Sequence, residues 1–253
     1  MSGPLVPRLR GFKVPKFGES PSSCRDAWRS NHRVNGSGNP EYLRVAIADG
    51  ASTASGSGLW GEHLVDASVG SASKWRKGAY RAKLLARLRQ RWQYEACAAL
   101  PQPVPWFAEA ALNRGAYSTL MKVWIRGNTW EAEGWGDSCL FHLRLGHPVR
   151  VLPDLEIDDF SQNPFLLASV PGHDEDLVTE MIFGKGNLER GDILLLATDA
   201  LACWLLTTQA WSENLREMTA IRSDESFAAW VDDLRRNRGL KNDDTTMVLV
   251  EFV

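Results

Sequence analysis

The sequence predicts an α+β fold in which packed antiparallel sheets lie between helices. Strand-like runs gather in two sets separated by helical stretches, and do not alternate with helices one for one. Three such runs follow one another within residues 116–145, and amphipathic helical patterns flank the sets on the chain.

Residues 1–40 are rich in Pro, Gly, Ser and Asn, so extended pieces and loops are expected, with a short strand around Asp26-Ala-Trp28. Residues 42–48 form an apolar strand. A loop of small residues, Gly50 to Gly58, leads into a helix near Leu59–Ala67. A longer helix is expected over about Lys74–Ala99, with Leu85, Leu88 and Trp92 on one face and Leu84 flanking it. Pro101, Pro103 and Pro105 stop it, and a short helix near Trp106–Leu112 ends before Asn113-Arg-Gly115.

Tyr117–Ile125, Thr129–Trp135 and Ser138–Leu145 read as a β-meander, with Gly127-Asn128 and Gly136-Asp137 in its turns. Residues 146–190 read as irregular and turn-rich. Ile193–Ala197 is a buried strand and Ala200–Leu206 a short helix. Phe227, Trp230, Val231 and Leu234 recur at i, i+3, i+4, i+7, which is a helix, and Thr245–Val253 closes the chain as a strand. There is no internal repeat and no domain boundary.

Composition narrows the function. The chain has 253 residues, 44% of them hydrophobic and 24% charged, enough for a sizeable core. A formal net charge of -2 gives no general case for nucleic acid or an anionic membrane as partner. Eleven tryptophans are scattered and read as core and edge packing. Cys24, Cys97, Cys139 and Cys203 lie far apart without histidine ligand spacing, which argues against a zinc site or disulfide framework and fits a reducing cytoplasm. Met1–Pro15 has no apolar core segment, so no signal peptide is expected. No run approaches the ~20 apolar residues of a membrane span. Asn35-Gly-Ser37 matches a glycosylation acceptor, but no secretory route accompanies it.

The chemistry lies in the acids. The apolar run Arg44–Ala48 stops at Asp49-Gly50, and Ile193–Ala197 stops at Thr198-Asp199. Asp243-Asp244 opens the last strand and Asp137 sits in a turn. An unpaired carboxylate at the end of a buried run is costly, so such an acid is hydrogen-bonded, protonated or bound to a metal. Carboxylate oxygens are hard donors suited to Mg²⁺ or Mn²⁺, and small neighbours let a backbone approach an ion. Two ions held by shared aspartates generate a nucleophilic hydroxide and stabilise phosphoryl charge. Singly, each acid is more often a turn former or helix cap. Their joint order is the signal.

That order is Val45-Ala-Ile-Ala-Asp-Gly50, Gly115-Ala-Tyr-Ser-Thr119, Gly134-Trp-Gly-Asp-Ser138, Gly191-Asp-Ile-Leu-Leu-Leu-Ala-Thr-Asp199 and Asp243-Asp-Thr-Thr-Met-Val-Leu-Val250. It resembles the metal-dependent protein serine/threonine phosphatases, the protein phosphatase 2C or PPM family. An Ala-Asp-Gly-Ala-Ser loop and a Thr-Asp-Ala-Leu-Ala turn resemble its bacterial branch more narrowly. The resemblance covers about residues 20–253, which it implies form a single phosphatase domain after an N-terminal extension, 1–19. It implies a four-layer αββα sandwich of two antiparallel sheets between helical layers. Asp49 matches the aspartate bridging two Mg²⁺ or Mn²⁺ ions, and Gly50 the glycine whose carbonyl binds one of them. Asp199 and Asp243 match the acids of the second ion, and Asp137 with Asp199 can hold a third in bacterial members. The implied catalytic set is Asp49, Asp199 and Asp243, acting through an activated water on phosphoserine or phosphothreonine, with no covalent enzyme intermediate. The implied partners are a phosphoprotein substrate and an opposing serine/threonine kinase.

Departures from the family pattern matter. At Asp26-Ala-Trp28, Arg25 stands in the position of the motif's acid and Pro21 in that of its phosphate-gripping arginine. Arg25 itself is the expected phosphate ligand in its place, since a guanidinium fork suits phosphate oxygens. Ala51 replaces a histidine found in many eukaryotic members, leaving protonation of the leaving group to water or another group. Ala200 replaces a usual glycine and Asp244 a common asparagine. The missing arginine and acid motivate an alternative: a catalytically weak, metal-binding relative that binds phosphoproteins or regulates a kinase.

Other readings are weaker. Gly56-Ser-Gly-Leu-Trp-Gly61 matches a dinucleotide-binding fingerprint, but residues 48–55 separate it from the strand and the next segment is helical. Lys74, Arg76, Lys77, Arg81, Lys83, Arg87, Arg89 and Arg91 could grip nucleic acid, though a solvated helix face explains them as well. His173-Asp-Glu-Asp176 reads as a hydrophilic loop, and His63, His142 and His147 as ordinary residues of helix or strands. No Gly-x-Ser-x-Gly elbow or phosphate-binding P-loop is present.

Overall fold

A computed structural model describes residues 5–253 except 35, 37–39, 52–55, 71–74, 76–77, 102, 104, 162–163, 173 and 209. In chain order come β1 (Pro7–Val14), β2 (Ala27–Val34), β3 (Pro40–Ala48), α1 (Ser57–Gly70), α2 (Gly78–Ala98) and α3 (Trp106–Arg114). Then follow β4 (Tyr117–Ser118), β5 (Leu120–Arg126), β6 (Thr129–Trp135), β7 (Cys139–Arg144), β8 (His147–Leu152), β9 (Leu167–Ala168), β10 (Ile182–Asn187) and β11 (Ile193–Ala197). Last come α4 (Asp199–Thr207), α5 (Trp211–Ala220), α6 (Asp224–Asn237) and β12 (Thr245–Phe252).

Two five-stranded antiparallel sheets carry the fold, in the orders β1-β12-β11-β7-β8 and β10-β6-β5-β3-β2, with β4 and β9 forming a short ribbon. Successive strand residues face opposite ways, so a strand covered on both sides must be apolar on both. β12 meets that demand. Met247 and Leu249 join Phe141, Leu195, Leu201, Phe227 and Val231 in the layer between the first sheet and α4–α6. Val248 and Val250 join Val45, Ile47, Val123, Leu194 and Leu196 between the sheets. A third layer, including Ala46, Ala48, Trp60, Leu64, Leu85 and Trp92, lies between the second sheet and α1 and α2. This is the four-layer αββα sandwich expected. All four cysteines are free.

Two expectations are corrected, and a third is made more definite. Tyr117–Leu145 is not one meander: β5 and β6 form a hairpin, while β7 lies in the other sheet between β11 and β8. The reason is edge occupancy, because β6 pairs with β5 on one side and β10 on the other. Gly136, at φ +91°, turns the chain from β6 across to the first sheet. Residues 146–190 are not merely irregular, since β8, β9 and β10 lie there. β10 hides its character behind Gly184 and Gly186, whose missing side chains leave room for Leu152 and Trp130: a Cβ would lie 2.3 Å and 2.7 Å from them. Residues 7–14, in the stretch expected to hold extended pieces and loops, form β1, an edge strand paired along its whole length with β12. α5 was not expected from the sequence; it buries Trp211, Asn214 and Met218, and the polar Asn214 interrupts its apolar stripe.

Candidate metal centre

Antiparallel register brings the acids together. The last pair of β2 and β3 is Ala27↔Ala48, so the next residues outward, Asp26 and Asp49, stand side by side. The last pair of β11 and β7 is Ala197↔Cys139, and two residues beyond it come Asp199 and Asp137. Asp243 precedes β12, the neighbour of β11. All five acids therefore meet at one end of the sandwich, where strands of both sheets stop.

The backbone of Asp49 is fixed by the Ser118-Thr119 segment. Asp49 N donates to Thr119 Oγ1 at 2.9 Å, and its carbonyl accepts from Ser118 Oγ at 2.8 Å and from Thr119 N at 2.9 Å. Thr119 Oγ1 also shares a 2.7 Å hydrogen bond with Ser138 Oγ, beside Asp137. The hydroxyls of the second motif thus hold two of the acids in place. Gly50 is required by space: a Cβ there would lie 2.8 Å from the Ser57 carbonyl carbon and 2.9 Å from Arg25 O.

Asp199 is the first residue of α4, and its Oδ1 accepts from Ala200 N at 2.6 Å. Its N-cap neighbour Thr198 spends its hydroxyl elsewhere, donating to Asp26 Oδ2 at 2.9 Å. Asp243 is flanked by two ammonium groups, Lys16 Nζ 2.9 Å from Oδ1 and Lys241 Nζ 3.2 Å from Oδ2. Lys241 also reaches Asp199 Oδ2 at 3.5 Å.

Electrostatics record the crowding. Burial holds the Asp49 carboxyl well above its ordinary range, and the charges of Asp26, Asp199, Asp137 and Asp243 push it further. Burial pushes Asp26 up to about 8, with Asp244 and Asp199 adding to it. Asp137 is pushed up to about 6 by burial and by Asp199. Asp243 goes the other way: burial would raise it, but Lys16 and Lys241 outweigh that and hold it below its usual value.

The donor set is chemically suited to a hard divalent cation: carboxylates in mutual repulsion, a glycine carbonyl with no side chain in the way, and no thiolate or imidazole. Asp26 Oδ1 is buried and lacks a well-formed hydrogen bond. Among the described residues, no three His, Cys, Asp or Glu side chains close around a ready-made ion position.

Sequence reasoning picked out Asp49, Gly50, Asp137, Asp199 and Asp243, and the structure gathers them. It did not pick out Asp26, Thr198, Lys16 or Lys241 as site residues; only the Asp-Ala of the first motif hinted at Asp26. Arg25 lies on the rim, with its backbone N donating to Asp244 Oδ2 at 2.8 Å. Its guanidinium makes no hydrogen bond or ion pair among the described residues.

The decoys resolve into packing. Gly58 and Gly61 let α1 settle on the loop before β2 and on β4, where added Cβ atoms would lie 3.3 Å from Arg25 Cα and 3.3 Å from Ser118 Oγ. Of the basic run, Arg81 is buried and donates to Trp75 O at 3.1 Å, Arg89 donates to Ala168 O at 3.1 Å, and Arg91 pairs with Glu95 at 2.7 Å. Lys74, Arg76, Lys77 and His173 lie outside the described residues, as do Asn35 and Ser37 of the acceptor motif. His63 meets Glu95 and His142 meets Asp192, each at 2.9 Å, away from the acids. No described helix is long and apolar enough to cross a membrane.

Comparison with known proteins agrees with this picture. The family model described as Protein phosphatase 2C matches residues 19–236. No curated protein sequence matches the chain. Among solved structures, PppA, a key regulatory component of T6SS in Pseudomonas aeruginosa, is similar at TM-score 0.51 and 19% identity, covering 99% of this chain and 100% of that one. The catalytic domain of the serine/threonine protein phosphatase PstP, in complex with 2 manganese ions, is similar at TM-score 0.54 and 18% identity, covering 98% and 99%. Serine/threonine phosphatase Stp1 from Staphylococcus aureus is similar at TM-score 0.54 and 11% identity, covering 97% and 95%. With the family model spanning most of the sequence and the same fold in these structures, the chain belongs to the protein phosphatase 2C family of metal-dependent protein serine/threonine phosphatases.

Proposed function

We propose that this chain hydrolyses phosphoserine and phosphothreonine in proteins with two Mg²⁺ or Mn²⁺ ions, and that it opposes a serine/threonine kinase in a cytoplasmic setting. The observation that carries this reading is the convergence of Asp26, Asp49, Asp137, Asp199 and Asp243 at one end of the sandwich, where burial first and neighbouring acids second hold Asp49, Asp26 and Asp137 above the ordinary carboxylate range. Like charges assembled at such cost mark a site that takes up positive charge. In this proposal Asp49, the Gly50 carbonyl, Asp199 and Asp243 would hold the two ions, and Asp137 with Asp199 would hold a third. Bound there, the ions supply an activated water and neutralise charge on the phosphoryl group.

The chain's own residues do the rest. Thr119 and Ser118 hold Asp49 at a fixed height, and α4 holds Asp199 at its first residue. Arg25, pinned through its backbone to Asp244, presents an unengaged guanidinium to the phosphate oxygens. Lys16 and Lys241 offset the negative charge of the cluster, which otherwise repels a phosphate dianion.

A second reading is a metal-binding relative without turnover, used to bind phosphoproteins or regulate a kinase. Pro21 in place of the phosphate-gripping arginine favours it. Mn²⁺-dependent hydrolysis of an aryl phosphate and a phosphothreonine peptide separates the two. Turnover that needs Mn²⁺ and disappears in Asp49→Asn and Asp199→Asn supports the enzyme. A folded protein that binds Mn²⁺ and phosphopeptide without turnover supports the second reading.

A further inference from the structure

Next to Asp199 opens a cavity of ≈ 380 Å³ that the metal chemistry leaves unused. Its polar end is Asp199 and Lys241, and its walls include Ile157, Phe160, Cys203 and Trp204. The walls are set by packing. Trp204 is 8% exposed, its Nε1 donates to Arg238 O at 2.8 Å, and its ring stands edge-on to Trp230. Phe160 packs against the core beneath α4. Burial and the Asp199 charge push the Cys203 thiol upward, so it stays a neutral, weakly polar wall. Ile157, 47% exposed, forms part of the open rim.

We infer that this cavity is a specificity subsite for the substrate: it receives an apolar side chain close in sequence to the phosphorylated residue of a phosphoprotein segment. The inference rests on the phosphatase reading above. A phosphate drawn to the acid cluster once it holds its divalent ions sits at the polar end of the cavity, because Asp199 and Lys241 belong to both. The chain leaving the phosphorylated residue then passes over an opening with four apolar or weakly polar walls. A Leu or Phe fills it, whereas a Ser or Asp loses solvation there without a partner. The volume lies within the ordinary range for binding sites, and continuity with the acids singles out a substrate segment as occupant over a free metabolite or a second copy of the chain.

The test uses the full-length protein loaded with Mn²⁺ and phosphothreonine peptides carrying Leu or Ser at each of the two positions on either side. At one of these positions, Leu is expected to raise kcat/KM about 10-fold over Ser, chiefly through KM. Filling the cavity by Cys203→Phe, or making its rim polar by Ile157→Ser, brings that ratio to about 1. The ratio is internal to each variant, so a general loss of activity does not mimic the effect, and Ile157→Ser, at an exposed position, guards against misfolding. A wild-type ratio below about 2 at every position, with aryl phosphate still turned over, overturns the subsite alone. So does a 10-fold ratio that survives in a variant. No turnover of any substrate, aryl phosphate included, overturns the phosphatase reading and the subsite with it.

Discussion

Thr198 Oγ1 donates to Asp26 Oδ2 at 2.9 Å and accepts from Thr246 N at 2.9 Å. One side chain thereby ties the ends of β11 and β12 in the first sheet to the entry of β2 in the second. Thr198→Val keeps the shape but leaves a buried carboxyl and a buried N–H without this partner. A loss of about 2–3 kcal/mol is expected in urea unfolding of the metal-free protein. A loss below about 0.5 kcal/mol means the sheets are joined there by other means.

Asp49 and Asp199 were legible in the sequence because each ends an apolar run, a local signal. Asp26 was not, since its segment is polar and its burial depends on the long-range pair Ala27↔Ala48. Fold class followed from periodicity, yet β1 escaped because Arg8, Arg10 and Lys13 break its alternation and only β12 covers its edge. The glycines of Gly56–Gly61 looked like a cofactor fingerprint and serve close packing instead, a distinction that needs the position of Arg25. Lys241 carries no motif. Its role comes from its contacts with two acids that lie apart in the chain.

Metal binding couples to protons. With folded values near 8 for Asp26 and near 6 for Asp137, the native metal-free protein holds protons that the unfolded chain releases at about 3.8. Where the native state binds more protons, stability falls as pH rises, here across about pH 4 to 8. Divalent ions must displace those protons, so their affinity climbs over the same range. Mn²⁺ is therefore expected to raise Tm more at pH 8 than at pH 6, and Asp49→Asn to remove most of the gain. An equal gain at both pH values in calorimetry contradicts this coupling.

Lys241 contacts Asp199 and Asp243 on a side chain 65% exposed. A cation so placed competes with a metal ion for the same oxygens. A unit charge at about 4 Å in a water-like medium is worth about 1 kcal/mol, so Lys241→Gln should tighten Mn²⁺ binding roughly 5-fold. Isothermal titration reads this directly. Unchanged or weaker binding shows that Lys241 does not compete for the site.

Gly50 faces backbone on two sides, so the methyl of Gly50→Ala cannot be absorbed by a side-chain rotation. The loop after β3 and the first turn of α1 must part. Overpacking of this kind costs about 1–3 kcal/mol, and displacing the Gly50 carbonyl should weaken Mn²⁺ binding more than 10-fold. Unfolding and Mn²⁺ titration on the same sample separate the two effects. Full metal affinity in a destabilised variant removes Gly50 from the proposed ligand set.

Away from the site, Asp192 gathers four donors. Arg144 Nε and Nη2 reach it at 2.9 and 2.8 Å, Glu189 N at 2.8 Å and His142 Nε2 at 2.9 Å. Trp130 Nε1 donates to His142 Nδ1 at 3.3 Å, which leaves Nε2 as the proton-bearing nitrogen that donates to the carboxylate. Burial alone would raise Asp192, but Arg144 and His142 outweigh it and hold its carboxyl below the ordinary value. A depressed folded-state value means the unfolded chain takes up the proton first. The contribution is therefore complete above about pH 4 and is lost as pH falls through the folded value. Asp192→Asn should cost about 3–5 kcal/mol at pH 7 and flatten the acid limb of the stability curve. If the wild type and the variant lose stability in parallel below pH 4, the acid limb belongs to other carboxylates.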